Sequence, residues 1–186
     1  MKTDPAHRIL IFGMEFPPSA TGSAAYAARL AGGLSSRGVE VRVLAAETAD
    51  GGGAAFDSSQ NFEVVRLPYV GSVARRYLLA RRSLRRMLAE YEPDLLWATN
   101  GMACRVAGLL PIPGRTALIS SVRGSDILRR LPGKGLWRRL ESIPQRRCYR
   151  NSMAIGAASE YLKSVAVGKG IDPDAIFVSP SAVDLD

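Results

Sequence analysis

Two short stretches of this sequence concentrate groups that can hold a charged or hydroxylated ligand. In "EFPPSATGSAAYAARLAGGL", Pro17 and Pro18 lead to Thr21 and Gly22 at the head of an alanine-rich segment. If Gly22 opens a helix, the exposed amides there favour an anion, and the missing side chain lets a phosphate or another backbone come close. A tight turn that needs glycine accounts for the same residue. In "RGSD", Arg123, Gly124, Ser125 and Asp126 put a cation, a flexible glycine, a hydroxyl and a carboxylate side by side. Such groups grip polyhydroxylated or phosphorylated molecules. Ser125 or Asp126 can also cap the helix that follows.

Other chemistries lack their residues. A dinucleotide fold needs G-x-G-x-x-G after its first strand, where this chain reads "GMEFPPSATG", and no phosphate loop with lysine and Ser/Thr after its glycines is present. His7 is the only histidine. That excludes a histidine triad within this chain and, with only Cys104 and Cys148 beside it, leaves too few ligands for a typical zinc site. No G-x-S-x-G elbow occurs. Two distant cysteines fit a reduced, cytosolic protein.

The charge points outward. There are 25 Lys+Arg against 17 Asp+Glu, a net charge of +8 and a pI near 10.0, which implies an anionic neighbour. Over 72–91 the residues sort by angle on a helix. Tyr77, Ala80, Leu84, Met87, Leu88 and Tyr91 share one arc, while Arg75, Arg81, Arg82, Arg85 and Arg86 share the other, with Leu78 among them. A solvated charged face explains this. So does a surface resting on anionic lipid, with arginines at the phosphates and Leu78 dipping inward; Arg129, Arg130, Trp137, Arg138, Arg139, Arg146, Arg147 and Arg150 would extend it. Nucleic acid is disfavoured, because only 7% of residues are aromatic and no stacking platform or helix-turn-helix pattern is visible.

The elements that must position these groups alternate. Apolar strands are expected at 8–13, 40–46, 62–68, 94–100, 116–122, 152–157 and 175–180, with helices at 22–37, 72–91, 101–110 and 160–170. The Gly/Ser-rich 47–61 reads as a mobile loop, and Pro144 as an interruption of any helix across 129–150. Ser159 is placed to cap the last helix. Mean hydropathy of +0.02 suits a globular chain, and no run approaches the ~20 apolar residues of a membrane span. The 186 residues therefore predict one α/β domain, a doubly wound, mainly parallel sheet with helices on both faces. Ligands on such sheets sit at the carboxyl ends of the strands near the switch point. That selects the loops 13–22, 99–101 and 123–126, and adds Asn100 to the candidates.

In order and spacing, "PPSATG" with "AAYAARLAGGLSSRGVEVRVLAA", "EPDLLWATN", "RGSDI" and "AIGAASEYLKSVAVGKGIDPDAIFVSPSAVDLD" resemble the N-terminal domain of a GT-B glycosyltransferase of the large retaining group 1, or family 4. The resemblance spans nearly the whole chain. It departs at Thr21, where the family carries the first of two glycines, at Arg123, where members often have histidine, and at Ser181-Ala182, in place of Asn-Gly.

The resemblance implies transfer of a sugar from a nucleotide-diphosphate donor to a lipid, saccharide or small-molecule acceptor, with retention. The donor is a substrate, and no cofactor or metal is implied. Thr21 and Gly22 would lie near the donor phosphates, and Arg123, Gly124, Ser125 and Asp126 would line the sugar side with Asn100. No catalytic residue is assigned. The resemblance also implies that residues 1–186 form one Rossmann-like domain whose donor-binding partner domain lies outside them, so the domain alone is expected to be inactive, in the cytoplasm or against the inner face of the membrane. A non-catalytic binding domain for nucleic acid or another anionic polymer is the alternative, and a flavodoxin-like small-molecule binder is a third.

Overall fold

The computed structural model describes residues 7–128 and 136–180, without the side chains of 125, 126 and 136–141. Arg129, Arg130 and the Ser181-Ala182 pair thus lie outside the described residues, as do the side chains of Trp137, Arg138 and Arg139. The strands β1 Arg8–Gly13, β2 Glu40–Ala46, β3 Glu63–Leu67, β4 Leu95–Ala98, β5 Ala117–Val122, β6 Ala154–Ala157 and β7 Ile176–Val178 form one sheet in the order β3-β2-β1-β4-β5-β6-β7. Every pairing is parallel. The chain starts in the middle, winds outward to β3, crosses back to β4 and winds outward again. The helices are α1 Gly22–Ser35, α2 Gly53–Asp57, α3 Val73–Glu90, α4 Gly101–Gly108, α5 Ser125–Leu128, α6 Leu136–Asn151 and α7 Glu160–Val167. This is the doubly wound, Rossmann-like sheet that the alternation predicts.

Both faces of the sheet are covered, which is why "RILIFG" reads as a continuous apolar run. Side chains alternate along β1. Leu10 and Phe12 join Leu84, Leu88 and Val106 in one core, and Ile9 and Ile11 join Ala27 and Ala31 of α1 in the other. α3 buries Ala80, Leu84, Met87 and Leu88, as its angular pattern requires. Just past it, Tyr91 donates to the Glu40 carbonyl at 2.9 Å. Burial pushes that phenol up to about 12, with help from the Glu40 charge.

Two expectations are corrected. The stretch 47–61 is not loop throughout, because it contains α2. Side-chain contacts that composition does not show hold this short helix. Glu47 Oε1 accepts from the Gly53 amide at its start, at 3.2 Å, and Asp57 at its end pairs with Arg66 of β3 at 2.7 Å. Pro144 does not interrupt α6, which runs through it. Proline costs an interior helix one hydrogen bond, but packing against α4 outweighs that loss. The two helices meet so closely that a side chain at Gly108 would strike the Pro144 backbone.

Candidate functional site

The strand order reverses between β1 and β4, and their ends are joined there. The Thr99 amide and hydroxyl both reach the Phe12 carbonyl, at 2.9 and 3.2 Å. Gly13 permits this approach, since a Cβ on it would sit 2.5 Å from Thr99 Oγ1. Above this junction, at the carboxyl ends of the strands, opens a cleft of about 760 Å³. Its walls come from the ends of β1 to β3, the first turns of α1, α3 and α4, and the residues after β5 and β6. A side lobe of about 350 Å³ shares Glu15, Glu47 and Tyr69 with it.

The cleft carries charges of both signs. Glu15 and Glu47, which also line the side lobe, are its carboxylates, and Arg76, Arg105 and Arg123 are the cations of its lining. Glu15 Oε2 accepts from the Thr21 hydroxyl at 3.1 Å and from the Ser23 hydroxyl. The amide and hydroxyl of Thr48 and the Gly53 amide bond Glu47. The Thr48 amide above all holds its carboxyl below the ordinary glutamate value, with Arg66 adding a smaller pull. Glu47 therefore carries its full charge at neutral pH.

Thr21, Gly22, Asn100 and Arg123 all line the cleft, so the three loops selected from the sequence converge. Thr21 is the cap of α1, accepting from the Ala24 amide at 3.2 Å. The neighbouring Gly22 and Ser23 amides have no acceptor among the described residues. Gly22 has an ordinary negative φ, and a Cβ there would meet nothing within 4 Å. No turn demands glycine at this place, and the space it leaves faces the cleft. Asn100 is almost fully buried and caps α4, accepting from the Ala103 amide at 3.0 Å.

Arg123 is anchored rather than extended. Its guanidinium lies 3.7 Å from the Tyr26 ring centroid, and Nη1 donates to the Ser179 carbonyl at 3.0 Å. It thereby ties the end of β5 to α1 and to the segment leaving β7. Gly124 is buried with φ 129°, a backbone shape that glycine takes readily. The α5 turn begins at Ser125, so Gly124, not Ser125 or Asp126, precedes its first residue; the side chains of that pair lie outside the description. Arg75, Leu78, Arg81, Arg82, Arg85 and Arg86 are exposed together on the outer face of α3, with Leu78 45% accessible. Arg86 is tied to Glu90 at 2.8 Å.

Sequence reasoning missed Glu15, Glu47, Arg76 and Arg105. The signal for the first two was position alone, since each follows the end of a central strand. Arg76 was hidden beside Arg75, although one step of about 100° around the helix turns it from the solvent arc toward the cleft. Among the described residues no cluster of His, Cys, Asp or Glu could hold a metal, and no helix is long and apolar enough to cross a membrane.

Residues 20–186 match the family model described as Glycosyltransferase Family 4. Among solved structures, Anabaena Alr3699/HepE in complex with UDP-glucose superposes with a TM-score of 0.68 at 15% identity, covering 95% of this chain and 44% of that one. A putative UDP-N-acetylglucosamine 2-epimerase from Listeria monocytogenes gives 0.66 at 13% identity, covering 94% and 45%. A glycosyltransferase from Rickettsia africae gives 0.66 at 12% identity, covering 96% and 44%. The chain thus spans less than half the length of these structures, with which it shares the fold. No curated protein matches it significantly.

Proposed function

This chain belongs to glycosyltransferase family 4 as an N-terminal GT-B domain, and we propose that it is the acceptor-side half of an enzyme that transfers a sugar from a nucleotide-diphosphate donor. A second Rossmann-like domain would complete the cleft and hold most of the donor. The acceptor is a saccharide, lipid or small molecule, and the transfer retains configuration. The observation that carries this reading is Gly22, an unclashed glycine with free amides beside it, opening a long helix onto the cleft at the switch point. Those amides suit a donor phosphate. Glu15 and Glu47 are placed to accept hydrogen bonds from sugar hydroxyls. Arg123 and Asn100 line the cleft as well, and the sugar side of the donor is assigned to them together with Gly124, Ser125 and Asp126 as part of this proposal.

Release of nucleoside diphosphate from a panel of nucleotide-sugars tests the reading. The 186-residue chain alone should stay near background, and the protein carrying both halves should turn over. Robust turnover by the chain alone, or none by the two-domain protein with any donor, would sink it.

We also propose that the outer face of α3 rests on anionic lipid at the cytoplasmic side of a membrane. Its support is the contiguous exposure of Arg75, Leu78, Arg81, Arg82 and Arg85. Sedimentation with phosphatidylglycerol vesicles at low salt, and not with phosphatidylcholine vesicles, is the expected behaviour. Equal failure with both would remove this part of the proposal.

A further inference from the structure

Two kinds of arginine can be told apart among the described residues. Arg42, Arg66, Arg86 and Arg115 have carboxylate partners in Glu63, Asp57, Glu90 and Glu92. Arg76 and Arg105, both lining the cleft, have none among the described residues. Arg76 Nε is shielded from solvent and bonds nothing, while its Nη2 reaches only the Gly71 carbonyl, at 3.3 Å. Arg105 is held in place by neutral groups, the Tyr77 hydroxyl at 3.1 Å and Gln145 Oε1 at 3.3 Å. These contacts orient the guanidinium without cancelling its charge. Tyr77 follows Arg76 directly on α3, so the two cations share one corner of the cleft, where α3 and α4 meet. Burying a cationic donor without an acceptor is costly. The nearest carboxylates of the cleft do not relieve that cost, because Glu15 and Glu47 are engaged by their own hydroxyls and amides.

Resting on the transferase reading, we infer that Arg76 and Arg105 form a phosphate subsite and that the acceptor carries a phosphate group. A phosphomonoester bears between one and two negative charges at neutral pH and offers three acceptor oxygens. Two guanidinium groups match it in charge and geometry, each able to give two parallel hydrogen bonds. The presence of both signs of charge in the cleft then makes chemical sense. The phosphate of the acceptor lies at the α3–α4 corner, and its hydroxyls point toward Glu15 and Glu47. A phosphorylated sugar and a lipid phosphate present the same group.

The 186-residue chain is titrated calorimetrically with inorganic phosphate, glucose 6-phosphate, glucose and monomeric short-chain phosphatidic acid, at low and moderate salt. Phosphate and glucose 6-phosphate should bind and glucose should not, with affinity falling as salt rises. Arg76→Gln should weaken glucose 6-phosphate by about tenfold or more, while Arg37→Gln, in the turn beyond the far end of α1, should leave it unchanged. Arg105→Lys keeps the charge and loses the fork, so it should also weaken binding, and it supplies a second variant if Arg76→Gln unfolds. Stronger binding by the sugar phosphate or by phosphatidic acid identifies the source of the group. Equal affinity in the parent and Arg76→Gln, or glucose binding as well as its phosphate, overturns the inference. Phosphate binding that depends on Arg76 in a protein without transferase activity would sink the enzymatic reading alone. Transfer that proceeds in Arg76→Gln at unchanged KM would sink the subsite alone.

Discussion

Replacing Gly22 by valine should leave the melting temperature within about 2 °C of the parent, since the change is worth no more than about 0.5 kcal/mol, and yet cut sugar transfer by about a hundredfold in the protein that carries both halves. The two expectations come from the same geometry. A Cβ at Gly22 meets no atom within 4 Å, and the backbone needs no left-handed conformation there. Nothing in the fold resists a side chain. The branched carbons of valine would instead occupy the cleft beside the Gly22 and Ser23 amides, where the donor phosphate is proposed to sit. Displacing a reacting group by about 1 Å is enough for a loss of that size. Gly22→Ala should fall between parent and valine. A valine variant with full activity would remove Gly22 from the donor site. A variant that melts far below the parent would return it to the fold.

Gly108→Leu should behave in the opposite way, destabilising the domain by about 3 kcal/mol or more, which corresponds to a fall of about 6–12 °C in melting temperature. A Cβ at Gly108 is aimed at the backbone carbonyl of Pro144, not at a flexible side chain. Relief therefore requires α4 and α6 to move apart. Such a movement would carry Asn100 and Arg105 with it, because α4 presents both to the cleft. The matching control is Gly32→Ala in α1, where a Cβ also meets nothing within 4 Å. It should hold or raise the melting temperature, by the helix preference of alanine over glycine, about 0.5–1 kcal/mol. Thermal melts of both variants check the pair. An unchanged melt for Gly108→Leu would show that the helices can separate freely.

The sheet was legible because its signals are local. The alternation of buried side chains in "RILIFG", the arc of Ala80, Leu84, Met87 and Leu88, and the cap at Ser159 all operate within a few residues. The corrections come from contacts between separate elements. The glycines at 51–53 pointed to loop, but Arg66 reaches back to Asp57 and Glu47 to Gly53, and these bonds fix a turn of helix. Pro144 pointed to a break, but its partner Gly108 lies far earlier in the sequence.

The site divides in the same manner. Thr21, Gly22, Asn100 and Arg123 follow from the rule that ligands gather at the carboxyl ends of strands. Arg76 could be assigned only once its Nε was seen to be shielded and without an acceptor. Nor could the sequence show that Arg123, read as a ligand group, stacks on Tyr26 and holds the chain beyond β7.

The position of β1 also governs when the molecule can form. Its amide at Arg8 binds the carboxylate of Asp94, 86 residues away, and Ile9 lies beside Leu95. Among the described residues no hairpin begins the sheet, since every neighbouring pair is parallel and needs a crossover. During synthesis at about 5–20 residues per second, β1 therefore waits about 4–17 s before its inner neighbour has been made. Until then its apolar edge is open to any other strand, which is the period in which this domain is most exposed to aggregation. Interruption of synthesis before Ala98 would leave the two halves of the cleft without the junction that holds them together.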